Sequence, residues 1–122
     1  MNKTNNKIKK LKKELDTLIQ HKYVPLNPTC LVCGQPTSEM HHYIQKTQST
    51  YLRWDKRNLI PLCKKCHCLH HIGGDPRIHQ EIIRNKGHEW ADELERDRRI
   101  ISKSTLSNLQ EVKEDKQGGK DE

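Results

Sequence analysis

Apolar residues recur at three- and four-residue steps between positions 6 and 20: Ile8, Leu11, Leu15, Leu18 and Ile19. Lys9, Lys10, Lys12 and Lys13 fall mostly on other faces. That period predicts an amphipathic helix, and Pro25 and Pro28 end it before the first cysteine. An isolated helix this short is marginal in water, so docking on the rest of the chain is expected ahead of pairing with a partner or lying along phosphates. Met40 to Ile44 suits a short strand. Leu59 to Leu62, interrupted by Pro61, suits a short edge strand. Lys64 to Ile72 reads as a short helix stopped by Gly73 and Gly74. Asp75 then supplies a capping carboxylate and Pro76 the first helical position. The helix they start carries Ile78, Ile82 and Ile83 on one face and ends at Gly87. Trp90, Ala91 and Leu94 mark another amphipathic helix, and Thr105 caps a last one striped by Leu106, Leu109 and Val112. The chain thus divides into a basic helix (1–24), a central block (25–74), C-terminal helices (75–114) and a charged, glycine-containing tail (115–122) expected to be disordered.

Composition changes what can hold these elements together. Only 31% of the 122 residues are hydrophobic and 4% aromatic, with no Phe. So little apolar surface argues against a large core. No apolar run approaches the roughly 18 residues of a membrane span. The first 20 residues lack the apolar stretch of a secretory signal, so a cytoplasmic protein with no membrane partner is expected. Something other than a core must staple the chain, and the 5 Cys and 8 His are the candidates.

Charge narrows the partner. The formal net charge of +7 is uneven: net +5 over residues 1–29, +4 over 30–72 and −2 over 73–122. A localised basic excess beside a metal-type motif is the electrostatic footprint of a nucleic-acid binder.

Cys30-x2-Cys33 is followed, after 29 intervening residues, by Cys63-x2-Cys66. Two such knuckles supply the four thiolates of a tetrahedral structural zinc. Two disulfides would need an oxidising compartment, and two copies of a redox-active pair fit this spacing poorly. Bound metal contributes ~10 kcal/mol or more of apparent folding free energy in small domains, enough to replace a missing core. Cys68 is left over as a free thiol.

Five histidines cluster at His41, His42, His67, His70 and His71. His41 and His42 are strand neighbours and point to opposite sides, so both can serve one site only if the strand end is distorted or the site wraps around it. His67 and His71 lie four apart on a helix, a spacing suited to joint ligation. Asn58, just before the second strand, carries an amide that can tie down a loop or orient an imidazole.

Cys-x2-Cys, then His41-His42, then Asn58, then Leu62-Cys63-x2-Cys66-His67 resembles the zinc-stapled HNH endonuclease family over residues 30–72. The steps from Asn58 to His67 to His71 also resemble the HNH core of bacterial nuclease toxins. The resemblance implies an α+β fold: a small HNH ββα-metal finger with a four-cysteine structural zinc, flanked by N- and C-terminal helices. The stretch Tyr51-Leu-Arg-Trp-Asp-Lys-Arg-Asn58 further resembles the NinG (Rap) phage recombination proteins, as do the lysine-rich helix before it and the helices after it. His42-Tyr43 fits that pattern. His41, and His67 after the last knuckle, are closer to ordinary HNH enzymes. A phage-encoded or bacterial protein is implied.

The resemblance assigns roles. His42 is the general base, which suits an imidazole neutral near pH 7. His41, His67 and His71 hold one divalent cation: Mg2+, Mn2+, Ni2+ or Zn2+, with imidazole ligands leaning toward the transition metals. Asn58 and His67 complete the catalytic set, Asn58 either by fixing the loop or as a metal ligand. Arg53, Lys56, Arg57, Lys64 and Lys65 are candidate contacts to the phosphate backbone. Trp54 is expected to pack on the finger ahead of stacking on a base. His70 is a bystander or a contact behind the ligands, and His21, His79 and His88 are surface residues.

The leading expectation is a metal-dependent DNA endonuclease acting on branched or recombination-intermediate DNA, with a homodimer as a candidate assembly because such DNA needs two cuts. Its rivals are a non-catalytic zinc-dependent nucleic-acid-binding module and a site-specific homing or restriction-type HNH nuclease. The last is ranked third because no separate DNA-reading domain of the usual size is visible in the sequence. The C-terminal helices are expected to brace the finger or form a subunit interface.

Overall fold

A computed structural model describes residues 3–71 and 73–117, with the side chain of His71 outside the described set. The first helix, α1, runs from Lys3 to Tyr23. It is longer than the 6–20 stretch because Tyr23 continues the buried stripe of Leu11, Leu15 and Ile19 at four-residue steps. The Asn27 side chain donates to the Tyr23 carbonyl and closes the helix end.

Two four-residue strands follow, β1 (Glu39–His42) and β2 (Leu59–Leu62). They pair antiparallel with His41 opposite Ile60 and His42 opposite Leu59. Both outer edges are covered. Gln20 of α1 donates to the Met40 carbonyl at 2.9 Å and accepts the Met40 N–H at 2.8 Å. On the other edge, Leu31 donates to the Pro61 carbonyl. A proline there costs no ladder bond, since it has no N–H to satisfy.

The 42–59 connection is not an unbroken loop. Ser49 accepts the Leu52 N–H and starts a one-turn helix, α2 (Thr50–Arg53). Asp55 accepts the Arg57 N–H and starts a 3-10 turn over Lys56–Asn58. The remaining helices are α3 (Lys64–His71), α4 (Pro76–Lys86), α5 (His88–Asp97) and α6 (Leu106–Gln117). The expected caps form: Asp75 accepts the Arg77 N–H and Thr105 the Asn108 N–H. Gly87 separates α4 from α5 at φ 97°, a conformation that disfavours other residues. α6 extends three residues into the stretch 115–122 expected to be disordered, and residues 118–122 lie outside the described set. No described helix is long and apolar enough to cross a membrane.

Period-2 alternation along β2 divides the interior. Leu59 joins Met40 and Trp54 against α1 and Leu109 of α6. Ile60 and Leu62 belong to a separate cluster with Cys30, Cys63, Cys66, Ile78 and Ile82. A third small cluster joins Ile44 and Leu52 to Leu94 of α5. The terminal helices therefore brace the central block rather than forming separate units, and α1 docks as expected. The fold is α+β, with three small clusters around a two-stranded sheet in place of a single large core.

Candidate functional site

The knuckles meet. Cys30, Cys33, Cys63 and Cys66 bring their sulfurs within 4.8 Å of one another, and Cys33 and Cys63 lie 3.5 Å apart. A tetrahedral ion at about 2.3 Å from each sulfur requires S···S edges of about 3.8 Å, so the set fits a structural metal such as zinc. All five cysteines are free thiols, and Cys68 is exposed on α3. The thiols pull against one another. Burial pushes Cys30 up, but backbone N–H groups of Cys33, Cys63 and Val32 more than offset it and bring the thiol down to about 7. Burial and the neighbouring thiols push Cys66 far up. Four thiolates in one pocket repel, and a cation removes that conflict.

The strand alternation sends His41 and His42 to opposite sides of β1. His41, 5% exposed, faces α3, with ring centroids 5.4 Å from His67 and 4.8 Å from His70. Both contacts are edge-to-face. His67 Nδ1 lies 2.5 Å from Glu39 Oε1. A carboxylate facing the Nδ1 of an imidazole is an arrangement found at metal-binding histidines. The side chain of His71 lies outside the described set, so the expected His67–His71 pair has no described geometry. His70 packs on His41, and its ring is parallel to that of His79 at 6.4 Å. His79 in turn stacks on Tyr43 at 5.4 Å. Among the described residues, the cysteines alone bring three or more ligand atoms to ligation distance.

His42 faces the other way, toward α1 and α2. Its Nε2 sits 2.8 Å from the Arg53 carbonyl. A carbonyl only accepts, so Nε2 carries the proton and Nδ1 the lone pair. Burial pushes this imidazole below its ordinary value. The Arg53 carbonyl opposes the shift and the charge of Lys46 adds to it. His42 is therefore neutral at pH 7 and able to accept a proton at Nδ1.

Asn58 makes this arrangement possible. It is fully buried, and its carbonyl oxygen accepts the Ile44 N–H at 2.7 Å. Its amide nitrogen donates to the carbonyls of Ile44 at 3.0 Å and Leu52 at 3.2 Å. These bonds tie the end of β1 to α2 and use both ends of the amide, so of the two roles the sequence left open, Asn58 has the loop-fixing geometry. Asn58→Ala would take from the buried Ile44 N–H and C=O their partner at about 1–3 kcal/mol each, while the Leu52 carbonyl keeps the Asp55 N–H. We expect a destabilisation of about 2 kcal/mol or more, read from the midpoint of denaturant unfolding. A shift under about 1 kcal/mol would contradict the tie.

Both histidine faces open on one cleft of about 640 Å³, lined from α1 by Asp16, Thr17 and Gln20, from β1 by Glu39, His41 and His42, and by Lys46 and His67. A larger crevice of about 770 Å³ between α2 and α6 holds neither histidine nor cysteine.

The expected cations are placed differently. Arg53 makes a two-pronged ion pair with Asp16, at 2.7 and 3.1 Å. Arg57 is gripped by Asp55 at 2.8 Å, Asp97 at 2.9 Å and Glu93. Both arginines are held by carboxylates, and neither lines this cleft. Lys56 lines the other crevice, and Lys64 and Lys65 are exposed at the start of α3. Trp54 is buried, as expected, and donates its indole N–H to Asp16. Asp16, Gln20, Glu39 and Lys46 are cleft residues that the sequence reading missed. Burial pushes the Asp16 carboxyl up, but Arg53, Lys46 and the Trp54 N–H more than offset it, so it stays ionised. No signal flags Asp16 in advance, since its partners lie 37 and 38 residues away. Comparison of the chain with family models, with curated proteins and with solved structures finds no match.

Proposed function

We propose that this chain is a metal-dependent HNH-type endonuclease that hydrolyses DNA phosphodiester bonds. The observation that carries the reading is the state of His42: a neutral imidazole whose Nε2 proton is committed to the Arg53 carbonyl, in a cleft that His41 and His67 share. A buried histidine that served only packing would have no need of such a cleft.

In the reaction, His42 Nδ1 takes a proton from water. The water oxygen forms a bond to phosphorus, the bond to the 3′ oxygen breaks, and that oxygen takes up a proton from solvent. Arg53 and Asn58 hold His42 in place through the α2 carbonyl and the loop. His41 and His67 would hold a divalent ion, with Glu39 orienting His67 and His70 packed beside them. Such an ion would supply Lewis-acid stabilisation of the charge that develops on the phosphate and the leaving group. A structural zinc held by Cys30, Cys33, Cys63 and Cys66 would anchor the start of α3 to the first knuckle. The NinG-like stretch from Tyr51 to Asn58 favours branched or recombination-intermediate DNA as substrate, and two cuts on such DNA favour a homodimer.

A non-catalytic zinc module that binds nucleic acid is the second reading. It is favoured by the cysteines being the one described set of ligand atoms that converge. One assay separates the two. Supercoiled plasmid, linear duplex, four-way junction and single strand are each incubated with the protein and Mg2+, Mn2+, Ni2+ or Zn2+. The enzyme reading expects metal-dependent nicking that excess chelator stops within its mixing time, fastest on the junction. Binding with no cleavage under any ion leaves the zinc module standing alone.

A further inference from the structure

Docking buries one side of α1 and leaves the other as a continuation of the cleft wall. Leu11, Leu15, Ile19 and Tyr23 are in the core. On the open side, Lys9, Lys13, Thr17 and Gln20 succeed one another at three- or four-residue steps and so share one face. Gln20 and Thr17 already line the cleft that holds His41 and His42. Lys13 and Lys9 carry that line outward, each about 6 Å further along the helix axis. Both are exposed, and among the described residues neither pairs with a carboxylate. The acidic groups near this line are engaged. Asp16 is held by Arg53 with Lys46 at 3.7 Å, and Glu39 is on His67.

We propose that α1 is a nucleic-acid rail: Lys9 and Lys13, with Lys46 at the cleft mouth, hold successive phosphates of one strand and guide it past Thr17 to His42. This rests on the nuclease reading and adds to it the path of the substrate. The two helix lysines are one turn apart on a rigid element and lie in line with the cleft, which suits a regularly charged polyanion. An anionic membrane is the poorer fit, because the apolar face that would enter a bilayer is already buried against Met40, Trp54 and Leu59. The rail also takes over the role that Arg53 and Arg57 cannot fill while closely bound to Asp16, Asp55, Glu93 and Asp97; Lys46 stands further from Asp16, at 3.7 Å, and its side chain is 48% exposed. Contacts of this kind position the backbone without reading bases.

The test measures binding of a labelled DNA duplex and a labelled single strand by full-length His42→Ala protein, which is expected to bind without cutting, from about 50 to 200 mM salt. Lys9→Gln with Lys13→Gln is compared with a charge-matched control, Arg84→Gln with Lys103→Gln, on α4 and in the α5–α6 connection. The rail predicts an affinity loss of about tenfold or more at the lower salt. It also predicts a drop of about 2 in the slope of log affinity against log salt for the rail pair, as two lost phosphate contacts require. The control pair should change the slope by well under about 1. Equal behaviour of the two pairs overturns the rail. So does absence of DNA binding by the parent, or binding to phosphatidylserine vesicles in its place. Cleavage by the rail variant in an otherwise native background separates the two ideas. If binding falls but native protein never cuts DNA, the rail stands and the nuclease reading fails. If cutting and binding are both untouched, the nuclease reading stands and the rail fails.

Discussion

His42→Ala should lower the single-turnover cleavage rate by about a hundredfold to ten-thousandfold, the range over which a positioned general base contributes. The chain should stay folded. The side chain fills a cleft wall, and its loss removes one hydrogen bond to the Arg53 carbonyl, worth about 1 kcal/mol. A second variant sharpens the test. His42→Gln places an amide N–H where Nε2–H stood, so it can still donate to Arg53 while offering no base. Both variants should be inactive with near-native thermal melts. If His42→Gln cuts DNA at the parental rate, His42 is not the base, whatever the fate of the alanine variant. Because Asp16 holds Arg53, and Arg53 holds His42, damage at Asp16 should reach the same base indirectly and more weakly.

Cys30→Ser or Cys66→Ser should abolish zinc binding and unfold the central block. The apolar contacts of β2 on its metal side are few: Ile60 and Leu62 against Ile78, Ile82 and the cysteines themselves. A two-stranded hairpin of four residues per strand does not stand alone in water. Structural zinc contributes ~10 kcal/mol or more of apparent folding free energy, comparable with the whole stability of an ordinary domain at roughly 5–15 kcal/mol. Removing one thiolate therefore exceeds what three small clusters can absorb. Native protein should carry one zinc per chain by mass analysis and lose its native circular dichroism on prolonged chelation. A Cys66→Ser protein with native dichroism and one bound zinc would show that the fold does not depend on the four-thiolate site.

How legible the molecule was depends on the distance over which each feature is decided. The helix starts at Asp75–Pro76 and Thr105, the stop at Gly87 and the apolar stripe of α1 rest on interactions within one or two turns, and each is found where the sequence put it. The two knuckles were equally readable, because a Cys-x2-Cys pair holds one edge of a tetrahedron by itself. The missed turns in the 42–59 connection were also local in principle. Ser49 and Asp55 are both good capping residues, but helices of three or four residues have no periodic stripe to announce them.

What the sequence alone determined was the inventory: four thiols paired by chelate spacing, two adjacent imidazoles on opposite sides of a strand, an asparagine at the strand entry, and a helix with one oily and one basic side. What only the tertiary structure decided was which of the charges and rings face one another. Arg53 and Arg57 lie next to the motif, yet partners of each come from 36 to 40 residues away, on α1 and α5. Asn58 has its bonds to Ile44 and Leu52 because the end of β1 and α2 converge on it. The physical reason is that capping and chelation reward neighbours in the chain. An ion pair or a cleft rewards neighbours in space, and those exist only after α1 has buried its apolar stripe and turned its lysines outward.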